Sequence, residues 1–391
     1  METRICKSTG RKISLLGFGC MRLPKPDPDK QDIDTELGER MIDYAYRHGV
    51  NYFDTAYPYH EGKSELFIGR ALEKYPRESF NLADKMPGWL LHSRQDGERI
   101  FAEQLKKCRV EYFDFYLCHA LSTEADFIRA YEQTGVLDYL RGEKQAGRIR
   151  NLGFSFHGTP PELEKILRHN DWDFTQLQLN YLDWDAQDAK TQYRILADHG
   201  IPCVVMEPVR GGALNTLCEE SLRVLKTAEP NRSAASWAIR FAASQPNVLT
   251  VLSGMSTSEQ VRDNIDTMTG FQPLAPADYD VLKRALRVYL RTGSIPCTGC
   301  RYCMDCPSGV DIPKVFAIYN QCAAEGRLPV SFGEDSAAEE NRELFRKAYD
   351  ALPEKNRAGH CVDCKKCMQH CPQKIRIPSR MREIAAMTAA R

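Results

Sequence analysis

Apolar and polar positions along this chain alternate between two periods. Short apolar runs suited to buried strands are followed by stretches in which apolar residues return every three or four positions, as one face of a helix does. The runs at 13–19, 51–55, 80–85, 113–119, 150–156, 174–181, 203–207 and 248–253 read as strands. The stretches at 34–49, 64–75, 99–110, 127–133 with 136–147, 161–169, 186–199, 233–244 and 258–268 read as helices. Gly49 and Gly200 stand where two of these helices should stop, and Pro161 stands where another should start. Strands separated by helices must run parallel with right-handed crossovers. Eight such units within roughly 270 residues fit a (β/α)8 TIM barrel better than an open doubly wound sheet. No G-x-G-x-x-G opens a helix after the first strand, as a dinucleotide-binding open sheet would require.

The pattern changes after residue 275. One more helix at 276–292 leads into a segment dominated by cysteine, with helical patterns at 315–325 and 337–352 between its two ends. Cys297, Cys300, Cys303 and Cys306 come at a three-residue pitch and precede Pro307; Cys361, Cys364, Cys367 and Cys371 precede Pro372. The second run, C-x2-C-x2-C-x3-C-P, is the iron–sulfur spacing of bacterial-type ferredoxins, and the first is one residue shorter. Each iron of a [4Fe–4S] cluster needs a thiolate, and in two-cluster ferredoxins the cysteine before proline serves the other cluster. The expected ligand sets are therefore Cys297, Cys300, Cys303 and Cys371 for one cluster, and Cys361, Cys364, Cys367 and Cys306 for a second. The alternatives are zinc knuckles, which pair two CxxC units per metal, or a disulfide framework. The shorter first run leaves open whether that half completes a full cluster. The long helical spacer resembles helical ferredoxin domains. The expected division is a barrel over 1–275 and a small, mainly α-helical ferredoxin-like domain over 276–391.

Composition excludes some functions. The 391 residues are 42% hydrophobic, and 53 lysines and arginines balance 53 acids, so no overall charge points to nucleic acid or an anionic membrane. No apolar run approaches the length of a membrane span. The start, Met1-Glu2-Thr3-Arg4, leads into no apolar signal segment. Fifteen cysteines then imply a reducing compartment, and a cytoplasmic location is expected. Charge is uneven, however: residues 355–391 hold nine lysines and arginines against two acids. These could offset the negative charge of thiolate-bound clusters, form a solvated tail, or dock an acidic partner.

In a (β/α)8 barrel, chemistry sits at the C-terminal ends of the strands. Here those ends offer Asp54, Lys85 and His119 on three successive strands, with Tyr59 in the loop after Asp54. A free phenol titrates near ~10, too high for efficient proton donation at neutral pH. A nearby ammonium would lower it, a carboxylate would hold the ammonium in place, and an imidazole would orient a carbonyl oxygen. Tyr57 is a rival phenol.

On these residues the chain resembles the aldo-keto reductase family over about residues 10–270. GRKISLLGFGCMRLP is similar to its first strand, GVNYFDTAYPYH to the segment carrying its Asp and Tyr, FNLADK to that of its Lys and FDFYLCHAL to that of its His. The resemblance implies NAD(P)H-linked carbonyl–alcohol interconversion, with Tyr59 as general acid, Lys85 and Asp54 as its tuning pair, and His119 as orienter of a small-molecule carbonyl substrate. It also implies nucleotide contacts: Gly19, Cys20 and Met21 near the nicotinamide, Ser155 at its carboxamide, Gln176 as the matching glutamine of strand six, Met206 at the face of the nicotinamide, and Glu207 and Pro208 opening the loop that follows. Gly254, Ser256, Gln260 and Asn264 match the phosphate-binding loop and helix. Three positions depart from the family: Phe156 where asparagine is usual, Met206 where many members stack an aromatic ring, and Gln260 where NADP-preferring members often carry arginine. NAD and NADP both stay open. The whole chain resembles a subgroup in which such a barrel precedes a [4Fe–4S] ferredoxin-like domain.

Nicotinamide passes two electrons as hydride, whereas a [4Fe–4S] cluster passes one, and a flavin is the usual intermediary. No dedicated flavin motif is legible, and flavin stands as an alternative cofactor. Three functions fit: a carbonyl reductase carrying clusters, a flavin- or ferredoxin-coupled electron-transfer reductase exchanging electrons with ferredoxin or flavodoxin, and a non-catalytic nucleotide-binding redox sensor.

Overall fold

The computed structural model describes residues 1–27, 30–304, 306–328 and 336–388. The chain divides into two compact units: residues 1–209 with 235–274, and residues 210–234 with 275–391.

The first unit opens with an antiparallel hairpin, β1 (Thr3–Ile5) and β2 (Lys12–Ser14). Eight parallel strands follow: β3 (Leu16–Gly19), β4 (Tyr52–Asp54), β5 (Asn81–Met86), β6 (Phe113–Leu121), β7 (Ile149–Phe156), β8 (Phe174–Gln178), β9 (Cys203–Met206) and β10 (Val248–Gly254). They pair in sequence order, and β10 closes on β3, so the sheet is a barrel with helices between its strands, as expected. The one continuous strand anticipated at 13–19 is two pieces. Ser14 accounts for the break: its hydroxyl donates to the Leu16 carbonyl, and its N–H donates to Asn51 Oδ1. Cys6 and Ile13 of the hairpin region pack with Tyr52, Phe115, Phe174 and Leu249 and so plug the N-terminal end of the barrel. The opposite end, where the strands finish, carries the polar residues.

Local sequence explains the helix limits. Ser93 and Asp96 form a capping box that starts the helix Arg94–Cys108 five residues before the apolar periodicity begins. Thr257 caps the helix Ser258–Met268.

The second unit contains a helix that the pattern did not reveal, Glu219–Ala228, which lies along Pro276–Leu290 with the Ser221 hydroxyl donating to the Ala285 carbonyl. Its own core joins Val315, Phe316, Phe345, Tyr349, Met381 and Ile384 from the helices Ile312–Ala324, Ser336–Asp350 and Ile377–Thr388. The cysteine runs edge this core.

Candidate active site

Strand register assembles the barrel mouth. Gly254, Gly19 and Asp54 are successive partners across β10, β3 and β4. Lys85 reaches across from β5. Its Nζ donates to Asp54 Oδ1 and to the Thr55 carbonyl, both at 2.6 Å, and it is 1% exposed. The Lys85 ammonium sits 5.0 Å from the centre of the Tyr59 ring, and the Tyr59 and His119 rings meet edge to face at 6.2 Å. The four residues expected at the strand ends thus converge. Tyr57 does not join them: its hydroxyl donates to Glu103 and its ring lies under Lys107, on the outer helix Arg94–Cys108.

Backbone irregularities aim these groups. His60 and Glu61, directly after Tyr59, both have positive φ, at 51° and 55°. Ala120, directly after His119, has φ of 56° where the β6–β7 register shifts. Such conformations cost non-glycine residues energy and concentrate at functional sites.

The electrostatics differ from expectation in one respect. Burial, and after it the Asp54 carboxylate, push the Tyr59 phenol well above its ordinary range rather than below it. The reason is geometric: the Lys85 charge is spent on Asp54 and the Thr55 carbonyl, while the phenol is desolvated. Burial also raises the Asp54 carboxyl, against the pull of Lys85. Burial, then Lys85, then His157 hold the His119 imidazole well below its usual value. At neutral pH the mouth therefore presents a protonated phenol and a neutral imidazole. Two of its buried atoms, Asp54 Oδ2 and His119 Nδ1, have no hydrogen-bond partner.

Ser155 and Gln176 are register partners on β7 and β8 and are both buried. The Ser155 oxygen accepts from the Ala120 N–H at 2.7 Å, which leaves its O–H to donate, and Gln176 Oε1 has no partner. One donor and one acceptor side by side match a primary carboxamide, so these residues fit a nicotinamide. Cys20 is buried and Met21 partly so, in the turn Cys20–Arg22. Met206 ends β9, Glu207 follows at φ 54° with its carboxylate 3.5 Å from Arg22, and Pro208 is buried. Gly254 lies against the Arg22 side chain, where a Cβ would sit 3.2 Å from it. Ser256 donates its hydroxyl to the Arg22 carbonyl and its N–H to Gln260 Oε1. Asn264 is turned inward and donates to Ser253 Oγ. The last two therefore brace the loop through their own side chains.

In the second unit, Cys306, Cys361, Cys364 and Cys367 line one cavity. Burial and the neighbouring thiols of Cys361, Cys306 and Cys364 push the Cys367 thiol up to about 11. Burial and the thiols of Cys300, Cys297 and Cys371 likewise raise that of Cys303. Each group thus places three cysteines of one run near the C-P cysteine of the other. Both runs also repeat one backbone. Residues on either side of the middle cysteine have positive φ: Gly299 and Arg301 around Cys300, Asp363 and Lys365 around Cys364. Three residues beyond each C-P cysteine, Gly309 and Lys374 again have positive φ and donate to the carbonyls of Cys306 and Cys371. No disulfide forms among the described residues. Four thiols in one apolar cavity resist joint ionisation without a cationic partner, and an iron–sulfur group supplies that charge.

Comparison with known proteins decides the family. Residues 15–287 match the model of the aldo/keto reductase family, and residues 296–376 match that of a 4Fe-4S dicluster domain. The chain belongs to the aldo/keto reductase family. This aldo/keto reductase is an oxidoreductase whose C-terminal segment is a 4Fe-4S domain. It is 24% identical to the NADH-specific methylglyoxal reductase of Escherichia coli over 66% of this chain and 90% of that protein. It is also 24% identical to the L-galactose dehydrogenase of Arabidopsis thaliana over 70% of this chain and 90% of that protein. In fold it is similar to an aldo-keto reductase from Bacillus halodurans in its holo form, with a TM-score of 0.61 and 24% identity over 73% of this chain and 96% of that one.

Sequence reasoning about this aldo/keto reductase missed Trp89. It sits half-exposed in the turn Gly88–Leu90, its ring 5.2 Å from that of His119. An aromatic four residues after a strand-end lysine, behind Pro-Gly, was the available signal. It also missed Arg22, which braces Glu207 across the mouth. Among the described residues no helix is long and apolar enough to cross a membrane.

Proposed function

We propose that the barrel interconverts small carbonyl compounds and alcohols with NAD(P)H, with Tyr59 as proton donor. The observation carrying this reading is the closed set of contacts among Asp54, Lys85, Tyr59 and His119 at the strand ends. The nicotinamide, when bound, supplies or accepts a hydride. Ser155 and Gln176 would hold its carboxamide, with Gly19, Cys20, Met21, Met206, Glu207 and Pro208 around it and Gly254, Ser256, Gln260 and Asn264 at its phosphates. The neutral imidazole of His119 donates a hydrogen bond to the substrate oxygen and fixes its direction. The Tyr59 hydroxyl donates to the same oxygen and passes over its proton as negative charge develops there. Its raised pKa keeps the proton in place until that moment. Lys85, held by Asp54 and the Thr55 carbonyl, stands 5.0 Å from the centre of the phenol ring and fixes where that ring lies.

The cysteines would hold two [4Fe–4S] clusters in the sets Cys297, Cys300, Cys303, Cys371 and Cys361, Cys364, Cys367, Cys306, for one-electron exchange with a protein carrier such as ferredoxin or flavodoxin. The fifteen cysteines of the sequence support a reducing, cytoplasmic setting. A second reading, in which the clusters feed electrons to the barrel through a flavin, is favoured by Met206 standing where an aromatic would stack. The anaerobic titration of the iron–sulfur-loaded protein with NADH or NADPH tests between them. Unchanged cluster absorbance and EPR, with carbonyl-dependent nucleotide oxidation, is expected; bleaching with a reduced-cluster signal would overturn the first reading in favour of the second.

A further inference from the structure

The cavity walled by Cys306, Cys361, Cys364 and Cys367 is open on one side, and the chain that forms that side is unusual. Cys364 is exposed, the one cysteine of the eight in the two runs that is. Around it run Val362, 68% exposed, and Lys365, both lining the same cavity, then Lys366 and the exposed Met368 on the short helix Lys366–Gln369. Arg376, exposed, adjoins Ile377 of the cavity wall. Two bare apolar side chains beside a thiol-lined cavity, ringed by cations, are not what a merely solvated tail presents.

Charge sharpens the point. The two acids of residues 355–388, Asp363 and Glu383, are each held by an arginine, Arg382 and Arg380, at 2.6 Å. Lys365, Lys366, Lys374 and Arg376 make no ion pair among the described residues. The remainder of the chain carries a net negative charge, because the whole sums to zero while its last segment holds nine cations against two acids. Lys365 and Lys366 next to the exposed Cys364, and Arg376 next to Ile377 of the cavity wall, thus put positive charge beside the thiols, an arrangement that steers an oppositely charged partner.

We propose that Val362, Cys364, Lys365, Lys366, Met368 and Arg376 form the docking surface for a small acidic one-electron carrier protein. The apolar pair would make the dry centre of the contact and the cations its rim, as in transient redox encounters of small area. The carrier gives up one electron and the thiolate-held group takes one; no bond forms or breaks and no proton need move. This rests on the reading that these four cysteines hold an iron–sulfur group.

The test is binding. Iron- and sulfide-loaded protein is titrated anaerobically by calorimetry with a plant-type ferredoxin and with a flavodoxin, both acidic, at low and at raised salt. Binding is expected to weaken between about 50 and 300 mM salt as screening shortens the field. Lys365→Glu with Lys366→Glu is expected to weaken it about tenfold or more, and Val362→Ser by a smaller, salt-independent factor. Lys7→Glu, a reversal of an exposed charge in the N-terminal hairpin, is expected to leave it unchanged. Binding of neither carrier, or equal binding by the Lys365/Lys366 variant, overturns the proposal. So does binding to anionic lipid vesicles in place of the carriers, with loss in the same variant, which would assign the face to a membrane surface. Iron and sulfide are measured on the same samples: their absence counts against the cluster reading, whereas loaded protein that fails to bind counts against the docking surface alone.

Discussion

Removing both partners of the Lys85–Asp54 pair should destabilise the barrel by less than the two single removals added together. The two side chains are 1% and 3% exposed, and the ammonium has only Asp54 Oδ1 and the Thr55 carbonyl to face. Stranding one charge of a buried pair costs about 3–5 kcal/mol. Lys85→Met leaves a carboxyl whose pKa burial already raises, so it can take up a proton, which places its cost at the lower end of that range. A carboxyl with a raised folded-state pKa stabilises at low pH and loses that contribution as pH rises, so the Lys85→Met penalty should grow from acid to neutral pH. Asp54→Asn removes the carboxylate and leaves the Lys85 side chain facing two neutral oxygens. The double variant holds no charge, and its cost should fall short of the sum of the singles by at least about 2 kcal/mol. The assay is urea unfolding followed by tryptophan fluorescence. Trp89, Trp172, Trp184 and Trp237 are the chain's four tryptophans, and all lie in the barrel unit, so the signal reports that unit alone. Singles as stable as the parent, or a strictly additive double, would refute the argument that the pair is a buried, mutually dependent unit.

Two further outcomes follow from the same physics. His169 bridges Glu132 at 2.7 Å and Glu124 at 2.9 Å; burial alone would lower its pKa, but the two carboxylates more than offset that and raise it. Its contribution to stability is then full below the unfolded value near ~6.5 and lost as pH rises through the folded one, so His169→Gln should cost more at about pH 6 than at about pH 9 in the same urea assay, and an equal cost at both would contradict the bridge. Gly211 has φ of 64°, and a Cβ there would sit 2.2 Å from the Thr298 carbonyl oxygen and 2.8 Å from its carbon. Gly211→Ala should therefore cost more than the ~1–2 kcal/mol of a left-handed alanine. Faster hydrogen exchange over residues 297–306, with the tryptophan transition unmoved, is the expected sign, and unchanged exchange would count against it.

Much of this was legible because regular structure leaves a periodic trace. The eight strands and the convergence of Asp54, Lys85 and His119 follow from strand ends alone, since parallel strands of one barrel must finish at one mouth. The cysteine groups follow from spacing. What escaped was set by three-dimensional surroundings. The sign of the Tyr59 shift depends on burial and on where Lys85 spends its charge, neither of which is written in the order of residues. The left-handed residues His60, Glu61 and Ala120 are not themselves glycines, and only Gly62, just after the first two, marks a turn there. The hairpin that splits 13–19 depends on Ser14 meeting Asn51, distant in sequence. The helix Glu219–Ala228 is stabilised by packing along Pro276–Leu290, and its short apolar face was too sparse to read.

The claim that the barrel protonates a carbonyl through Tyr59 is tested most directly by Tyr59→Phe. The parent and the variant are compared for NADH- or NADPH-dependent reduction of a small aldehyde such as methylglyoxal, with nucleotide affinity measured by fluorescence titration on the same samples. Loss of turnover by about 10²-fold or more, with nucleotide affinity unchanged, is the predicted result. Turnover equal to the parent at unchanged affinity would contradict it and remove Tyr59 from the chemistry.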